Sequence, residues 1–283
     1  MTPKRLHPGQ TIGIVGGGQL GRMMALACAE LGFKCHIYCP EENPPASQVA
    51  NLTTCAAYDD LAALAAFAAQ VDVVTYEFEN IPADSMATLA ASKPVAPPAH
   101  ALKVSQDRLD EKTFIANLGI GVAAFYDITD LASLEAALAQ TGGHGILKTR
   151  RFGYDGKGQW RLGPDSDCAQ ILGELDAQPA ILEALVDFER EVSLIVARDQ
   201  AGNVSSYAPI ENVHKNHILH QSTLPAQLSG ALTDQARNIA ETLAVALDYI
   251  GVLAIETFVT SEGLLVNEIA PRVHNSGHLT QDA

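Results

Sequence analysis

Positive charge is scarce in this 283-residue chain: 18 Lys and Arg stand against 33 Asp and Glu, a formal net charge of −15. Binding to nucleic acid rests on basic side chains that neutralise phosphates, so no nucleic-acid partner is expected. Cysteine is sparse too. Cys28, Cys35, Cys39, Cys55 and Cys168 make an odd count with no C-x-x-C pair, which counts against a disulfide framework or zinc ribbon and reads as reduced thiols. No apolar run approaches the length of a membrane span. Residues 1–10 carry basic side chains but no apolar stretch, so no signal peptide is expected, and the expected location is the cytoplasm, away from membranes. The phosphate-loop pattern G-x-x-x-x-G-K-[S/T] is also missing. An enzyme of this sequence that used a nucleoside triphosphate would have to cradle its phosphates by another device.

The length favours two or three compact units. Hydrophobic residues make up 47% and charged residues 18%, the balance of a well-buried globular chain rather than a disordered one. Residues 11–15 form a short apolar strand, followed by Gly16-Gly17-Gly18-Gln19-Leu20-Gly21 and a helical apolar spacing over 22–31. A second strand is expected over 33–39, an alanine-rich helix over 60–70 and a third strand over 71–76. Strands alternating with helices imply parallel βαβ units, hence an α/β chain with a Rossmann-like N-terminal sheet. Pro94, Pro97 and Pro98 mark a boundary, giving a first domain over 1–98 and a second over 99–283. In the second, a helix is expected over 107–118, and strands over 145–148 and 159–162 flank a glycine-rich loop. Together with a strand over 180–183 these read as a small α+β lid spanning about 112–182. An alternating stretch at 191–197 pairs with 204–209, a long amphipathic helix covers 233–247, and a hairpin joins 251–259 to 263–269.

Two features carry chemistry. Residues 148–159 read K-T-R-R-F-G-Y-D-G-K-G-Q. Gly153, Gly156 and Gly158 let the backbone fold over a polyphosphate, and Lys148, Lys157, Arg150 and Arg151 bring positive charge. About a hundred residues on, Glu256 and Glu268 occupy facing strands. Such a carboxylate pair suits the Mg²⁺ that accompanies a nucleoside triphosphate, since Mg²⁺ takes one or two carboxylates plus phosphate oxygens. The combination reads as an ATP-using enzyme. Glu256 by itself would be an ordinary strand carboxylate; Asn267-Glu268 beside it turns the reading towards a metal ligand. Gly16, Gly18 and Gly21 satisfy G-x-G-x-x-G, but the acid a dinucleotide ribose requires is missing from the second strand, because Glu41 lies beyond Pro40. The motif is read as a tight turn that offers a helix N-terminus to a phosphate or ribose. A nicotinamide oxidoreductase remains the rival from another class. His214, His217 and His220 recur every third residue, but Asn212, Lys215 and Asn216 around them indicate a polar strand edge rather than zinc.

Four blocks stand in order along essentially the whole chain: Gly16-Gly17-Gly18-Gln19-Leu20-Gly21-Arg22-Met23, then Tyr76-Glu77-Phe78-Glu79-Asn80-Ile81-Pro82, then Gly153-Tyr154-Asp155-Gly156-Lys157-Gly158-Gln159, and last the run from Asn267 through Arg272, His274 and Asn275 to His278. As a set they closely resemble the N5-carboxyaminoimidazole ribonucleotide synthetases, ATP-grasp enzymes of purine synthesis. The resemblance implies a pre-ATP-grasp domain followed by an ATP-grasp fold, with ATP, Mg²⁺, bicarbonate and aminoimidazole ribonucleotide as small-molecule ligands, and a homodimer. It implies that Arg108 and Lys148 contact nucleotide phosphates, and that Gly153, Tyr154, Asp155, Gly156, Lys157, Gly158 and Gln159 cover them. It places adenine on Glu183, Ala184, Leu185 and Val186, ribose on Glu191, a further nucleotide contact on His214, and Mg²⁺ on Glu256 and Glu268 with Asn267 beside them. It implies that Tyr154, Asp155, Arg272, His274 and Asn275 line the catalytic side, with Gly18, Gln19, Leu20, Glu77 and Asn80 reaching in from the first domain. Asp155 and His274 are both candidates to manage the proton. Members of the family continue into a small C-terminal domain that binds the substrate phosphate. Its absence here leads to the expectation of a shortened chain that binds ATP–Mg²⁺ but turns over poorly, with a catalytically silent ATP-binding fragment as the alternative.

Overall fold

The computed structural model describes residues 5–153, 157–176, 178–216 and 218–281. Three sheets organise them. The first is parallel, in the order β3-β2-β1-β4, built from β1 (Thr11–Val15), β2 (Lys34–Cys39), β3 (Leu52–Cys55) and β4 (Val73–Tyr76). Its crossovers are α1 (Gln19–Glu30), a 3₁₀ turn (Pro45–Gln48) and α2 (Leu61–Ala69), and α3 (Ala83–Ser92) follows β4. Strand β3 had no legible signal: it is a four-residue edge strand with mostly exposed side chains, so it carries neither an apolar run nor an alternation. Val15, Tyr38, Phe67, Val74 and Tyr76 close this domain's core.

Helices α4 (Ala99–Ser105) and α5 (Arg108–Asn117) lead into the second half. The second sheet is the lid: β5 (Phe125–Ile128), β6 (Gly145–Thr149), β7 (Gln159–Leu162) and β8 (Ala180–Glu183), antiparallel in the order β5-β8-β6-β7, with α6 (Leu131–Gln140) and α7 (Cys168–Glu174) on it. The third sheet has the order β12-β11-β9-β13-β14, with β10 (Val204–Ser206) paired to β9 (Arg190–Arg198). The remaining strands are β11 (Ile210–Lys215), β12 (Ile218–Thr223), β13 (Gly251–Thr260) and β14 (Gly263–Ala270). Helix α8 (Gly230–Ala246) lies across this sheet; its Ala236, Ile239, Ala240, Leu243 and Ala244 recur at three- and four-residue spacing and are buried in one core with Leu253 and Ile255. Helix α5, whose second half the sequence reading assigns to the lid, instead buries Ile115 in this same core. The lid sheet accordingly begins at Phe125.

Asp107 caps α5, accepting from the N–H of Leu109 at 3.0 Å, and its carboxylate also holds Arg150 Nε at 2.9 Å. One side chain therefore starts the helix and pins the end of lid strand β6 to it. That junction sets Arg108 and Lys112, one turn apart on α5, under the lid.

Candidate active site

A cavity of about 580 Å³ opens between the lid and the large sheet. Strand β6 delivers Lys148 and α5 delivers Lys112. Both ammonium groups converge on one carboxylate oxygen at the end of β8: Glu183 Oε2 lies 3.0 Å from Lys148 Nζ and 3.1 Å from Lys112 Nζ. Burial pushes the Glu183 carboxyl up, but the two lysines outweigh it and hold it below the usual range. Burial drives Lys148 the other way, below its ordinary value, with Glu183 resisting. The Glu183 side chain therefore balances two cations, and the N–H of Ala184 is taken by Ala124 O at 2.8 Å. These two residues were expected to offer themselves to adenine. Leu185 and Val186, the rest of that expected segment, join the lid to β9. Lys112 was missed by the sequence reading; its one signal was the four-residue spacing from Arg108.

On the opposite wall, β13 and β14 pair Glu256 directly with Glu268. Strict alternation would send Asn267 and Glu268 to opposite faces of β14. The pairing register slips immediately after Glu256, where Thr257 faces Val266 and leaves Asn267 as the extra residue of a bulge. Asn267 and Glu268 consequently both line the cavity. Arg108 Nη1 reaches Glu268 Oε2 at 2.9 Å. Burial would raise the Glu268 carboxyl, but Arg108 more than offsets it and draws it down to about 2. At Glu256 the nearby Arg272 and a hydrogen bond from Asn267 pull the same way but more weakly. Burial, and then the charges of Glu268 and Glu191, push it up to about 8. Two carboxylates in register, one unable to ionise freely, fit a site that a dication completes, because its charge would relieve their repulsion. Glu256 and Glu268 would hold Mg²⁺ there, with phosphate oxygens supplying further ligands.

His274 stands over this pair, with Nε2 3.4 Å from Glu256 Oε1 and Nδ1 2.9 Å from Ser276 Oγ. Burial, reinforced by Arg272, lowers it to about 4, so it is a neutral imidazole near pH 7. Arg272 Nη2 lies 2.5 Å from Glu79 Oε1 in the loop after β4. Glu79 is a second residue the sequence reading did not single out. Glu191 Oε2 lies 2.8 Å from His214 Nδ1 on neighbouring strands of the large sheet. His220 meets Lys215 instead, with Nζ and Nε2 2.9 Å apart, and His217 lies outside the described residues. An apolar patch formed by Phe188 stacked on Phe258, ring centroids 4.6 Å apart, lines the same cavity as Ile146 and Leu219.

The expected residues therefore divide. Leu20, Asn80, Arg108, Lys148, Gly153, Gln159, Glu191, His214, Glu256, Asn267, Glu268, Arg272, His274 and Asn275 share the cavity wall. Tyr154, Asp155 and Gly156 lie outside the described residues. Gly158 closes the loop onto β6, its carbonyl accepting from Thr149 N at 2.9 Å. Its φ is +68°, and a Cβ there would meet Thr149 Oγ1 at 2.6 Å, so the position requires glycine. Gly18, Gln19 and Glu77 are not among the lining residues. Glu77 instead fills the glycine turn: its Oε1 accepts the Gly18 N–H at 2.7 Å. An internal carboxylate thus occupies the place where the sequence reading put a phosphate. The same contact removes the N–H group that a dinucleotide pyrophosphate would need. Among the described residues, no helix is long and apolar enough to cross a membrane.

Comparison with known proteins agrees with this geometry. Residues 9–106 match the ribonucleotide synthetase preATP-grasp domain and residues 113–283 the ATP-grasp domain. The chain is 52% identical, over its full length and 79% of the relative, to the N5-carboxyaminoimidazole ribonucleotide synthase of Brucella melitensis, and 39% identical, over its full length and 74% of the relative, to that of Bacillus subtilis. A crystal structure of an N5-carboxyaminoimidazole ribonucleotide synthetase with ADP superposes with a TM-score of 0.93 at 43% identity, covering 98% of this chain and 74% of that one. The Aspergillus clavatus synthase, solved with ADP and 5-aminoimidazole ribonucleotide, superposes with a TM-score of 0.86 at 27% identity, covering 96% of this chain and 72% of that one. On the identity, the coverage and the two matched domains, the chain belongs to the N5-carboxyaminoimidazole ribonucleotide synthase family of ATP-grasp proteins.

Proposed function

We propose that this protein is an ADP-forming carbon–nitrogen ligase that carboxylates the exocyclic amine of 5-aminoimidazole ribonucleotide, with ATP–Mg²⁺ and bicarbonate as co-substrates. The observation that carries the reading is the meeting of three groups in one cavity: buried Lys148 on the lid, the in-register pair Glu256 and Glu268, and Arg272 with His274 beside that pair.

Lys148 and Arg108 bind the phosphates, with the glycine-rich segment after β6 as a further phosphate contact. Glu191 and His214 face the ribose, and Phe188, Phe258 and Ile146 form a slot for the base. Glu256 and Glu268 would hold Mg²⁺, which would supply charge neutralisation for the phosphates. The terminal phosphoryl group passes to a bicarbonate oxygen, and ADP leaves with the broken bond. The amine nitrogen then attacks the carboxyl carbon of carboxyphosphate, inorganic phosphate departs, and one N–H proton must be taken up. Asp155 and His274 are the two candidate acceptors, and His274 is a neutral imidazole near pH 7. Arg272 and Asn275 flank it as contacts for the carboxyl group. Carboxyphosphate decomposes quickly in water, so the lid has to shield it during transfer. A homodimer in the cytoplasm is part of this proposal, and analytical ultracentrifugation decides the oligomeric state.

The test is phosphate release with and without each co-substrate. ATP consumption should depend on both bicarbonate and aminoimidazole ribonucleotide. ATP consumption that ignores the ribonucleotide defeats the reading. Nucleotide affinity without carboxylation would mark a silent ATP-binding protein instead.

A further inference from the structure

One side chain on the cavity wall touches both halves of the reaction site and has no part in the scheme above. Gln106 follows α4 and immediately precedes the cap residue Asp107. Its carboxamide is fully engaged. Nε2 donates to the carbonyls of Glu79 and Ile81, each at 2.7 Å. Oε1 accepts from Arg151 Nη2 at 3.1 Å. Two carbonyls on one side demand the NH₂ group and a guanidinium on the other demands the oxygen, so the partners allow one orientation of the amide.

What lies at each end gives the contact its meaning. The 79–81 loop carries Asn80 on the cavity wall and Glu79, whose carboxylate holds Arg272. Arg151 opens the glycine-rich loop, two residues ahead of Gly153, whose carbonyl accepts from Arg108 Nη2 at 3.3 Å. Three consecutive residues thus tie the lid to the rest of the molecule at separate points: Gln106 to Arg151, Asp107 to Arg150 and Arg108 to Gly153. Gln106 alone of the three also grips the first domain's loop.

We propose that Gln106 is a positioning residue that couples the acceptor side of the site to the phosphate loop. Through its two carbonyl contacts it fixes Glu79, and through Glu79 it sets Arg272. Through Arg151 it holds the lid at the end of β6. The acceptor side and the lid are thereby held in one register, which keeps ATP consumption tied to carboxylation of the amine. The inference rests on the function proposed above.

The experiment is steady-state kinetics of the purified enzyme with ATP–Mg²⁺, bicarbonate and aminoimidazole ribonucleotide, measuring phosphate release and ribonucleotide consumption together. Three variants probe the two arms. Gln106→Leu removes both, Gln106→Glu keeps an oxygen for Arg151 but sets an acceptor against two carbonyls, and Arg151→Ala cuts only the lid arm at an exposed residue. Both Gln106 variants should raise KM for the ribonucleotide about tenfold or more while KM for ATP stays within about twofold, the scale of one or two net hydrogen bonds lost from one ligand only. All three should release more phosphate per ribonucleotide carboxylated than wild type. A residue that merely supports the fold would instead lower the melting temperature and leave that ratio alone. Wild-type ratio and wild-type KM in folded Gln106→Leu overturn the proposal. If that variant does not fold, wild-type behaviour of both Gln106→Glu and Arg151→Ala overturns it equally. A parallel rise in both KM values also overturns it. Wild-type enzyme without ribonucleotide-dependent ATP consumption refutes the functional reading itself and takes this inference with it.

Discussion

The buried triad of Lys112, Glu183 and Lys148 separates what holds the lid together from what binds the nucleotide, and it can be taken apart in steps. Side-chain exposures are 1%, 4% and 9% respectively, so water does little to screen these charges. Glu183→Gln keeps the shape but leaves two buried ammonium groups facing a neutral amide. Removing one partner from a buried ion pair costs about 3–5 kcal/mol, because the remaining charge is left uncompensated. Lys112→Met should cost less, about 1–3 kcal/mol, because Glu183 keeps Lys148 at 3.0 Å. Replacing the whole triad with apolar side chains, Lys112→Met with Lys148→Met and Glu183→Leu, should return stability to within about 1 kcal/mol of wild type, since no charge is then left buried. That triple variant loses the lysine placed for the phosphates. If one or two charge-assisted contacts go with it, ATP affinity should fall by about a hundredfold or more. Urea denaturation followed by circular dichroism gives the stabilities, with the slopes checked for equality, and calorimetric titration gives the affinities. The reasoning fails if Glu183→Gln unfolds at the wild-type urea concentration. It fails equally if the apolar triad is as unstable as Glu183→Gln, for the cost would then lie in packing rather than in charge.

Three further outcomes are expected. Glu268→Gln removes the ionised member of the carboxylate pair with little change of shape, so ATP hydrolysis should drop by about a hundredfold or more, with the fold retained but the melting temperature lowered because Arg108 loses its carboxylate partner; unaltered hydrolysis would show that the carboxylate holds no metal. Gly16→Ala places a methyl group 2.6 Å from Glu77 Oε1 at a φ of +111°, and should cost about 2 kcal/mol or more by denaturant titration; a neutral result would mean that the Glu77 contact with Gly18 does not order the turn. His36 is buried with Nε2 on Thr54 Oγ1 at 2.8 Å, and burial holds it below its ordinary range. The unfolded chain takes up that proton first, near pH 6.5, so stability is full above that pH and falls as acid is added until the folded-state value is passed. The part of the pH slope below neutrality should flatten in His36→Gln, and an identical slope would assign the effect to another group.

The sequence by itself determined the parts whose signal is local. Strand β1, helix α2, the Asp107-capped α5 and the β13–β14 hairpin follow from apolar spacing, capping and turn residues that lie within a few positions of one another. The facing of Glu256 and Glu268 across the hairpin was legible for the same reason, as was family membership from four ordered blocks. Only the tertiary structure decided what depended on distant partners. It put Lys112 against Glu183, 71 positions away, where the chain offers no cue beyond helical spacing from Arg108. It turned Glu77 inward onto Gly18, closing a turn that in one dimension reads as an open anion site. It set Asn267 beside Glu268 through a bulge that breaks the two-residue alternation on which strand reading relies. Charge followed the same rule: Glu256 and Glu268 are the same residue type on paired strands, yet Arg108 reaches only one, so one carboxyl falls to about 2 and the other rises to about 8. Residue types and local periodicity are properties of the chain, whereas burial and the approach of a particular cation are properties of the packed molecule.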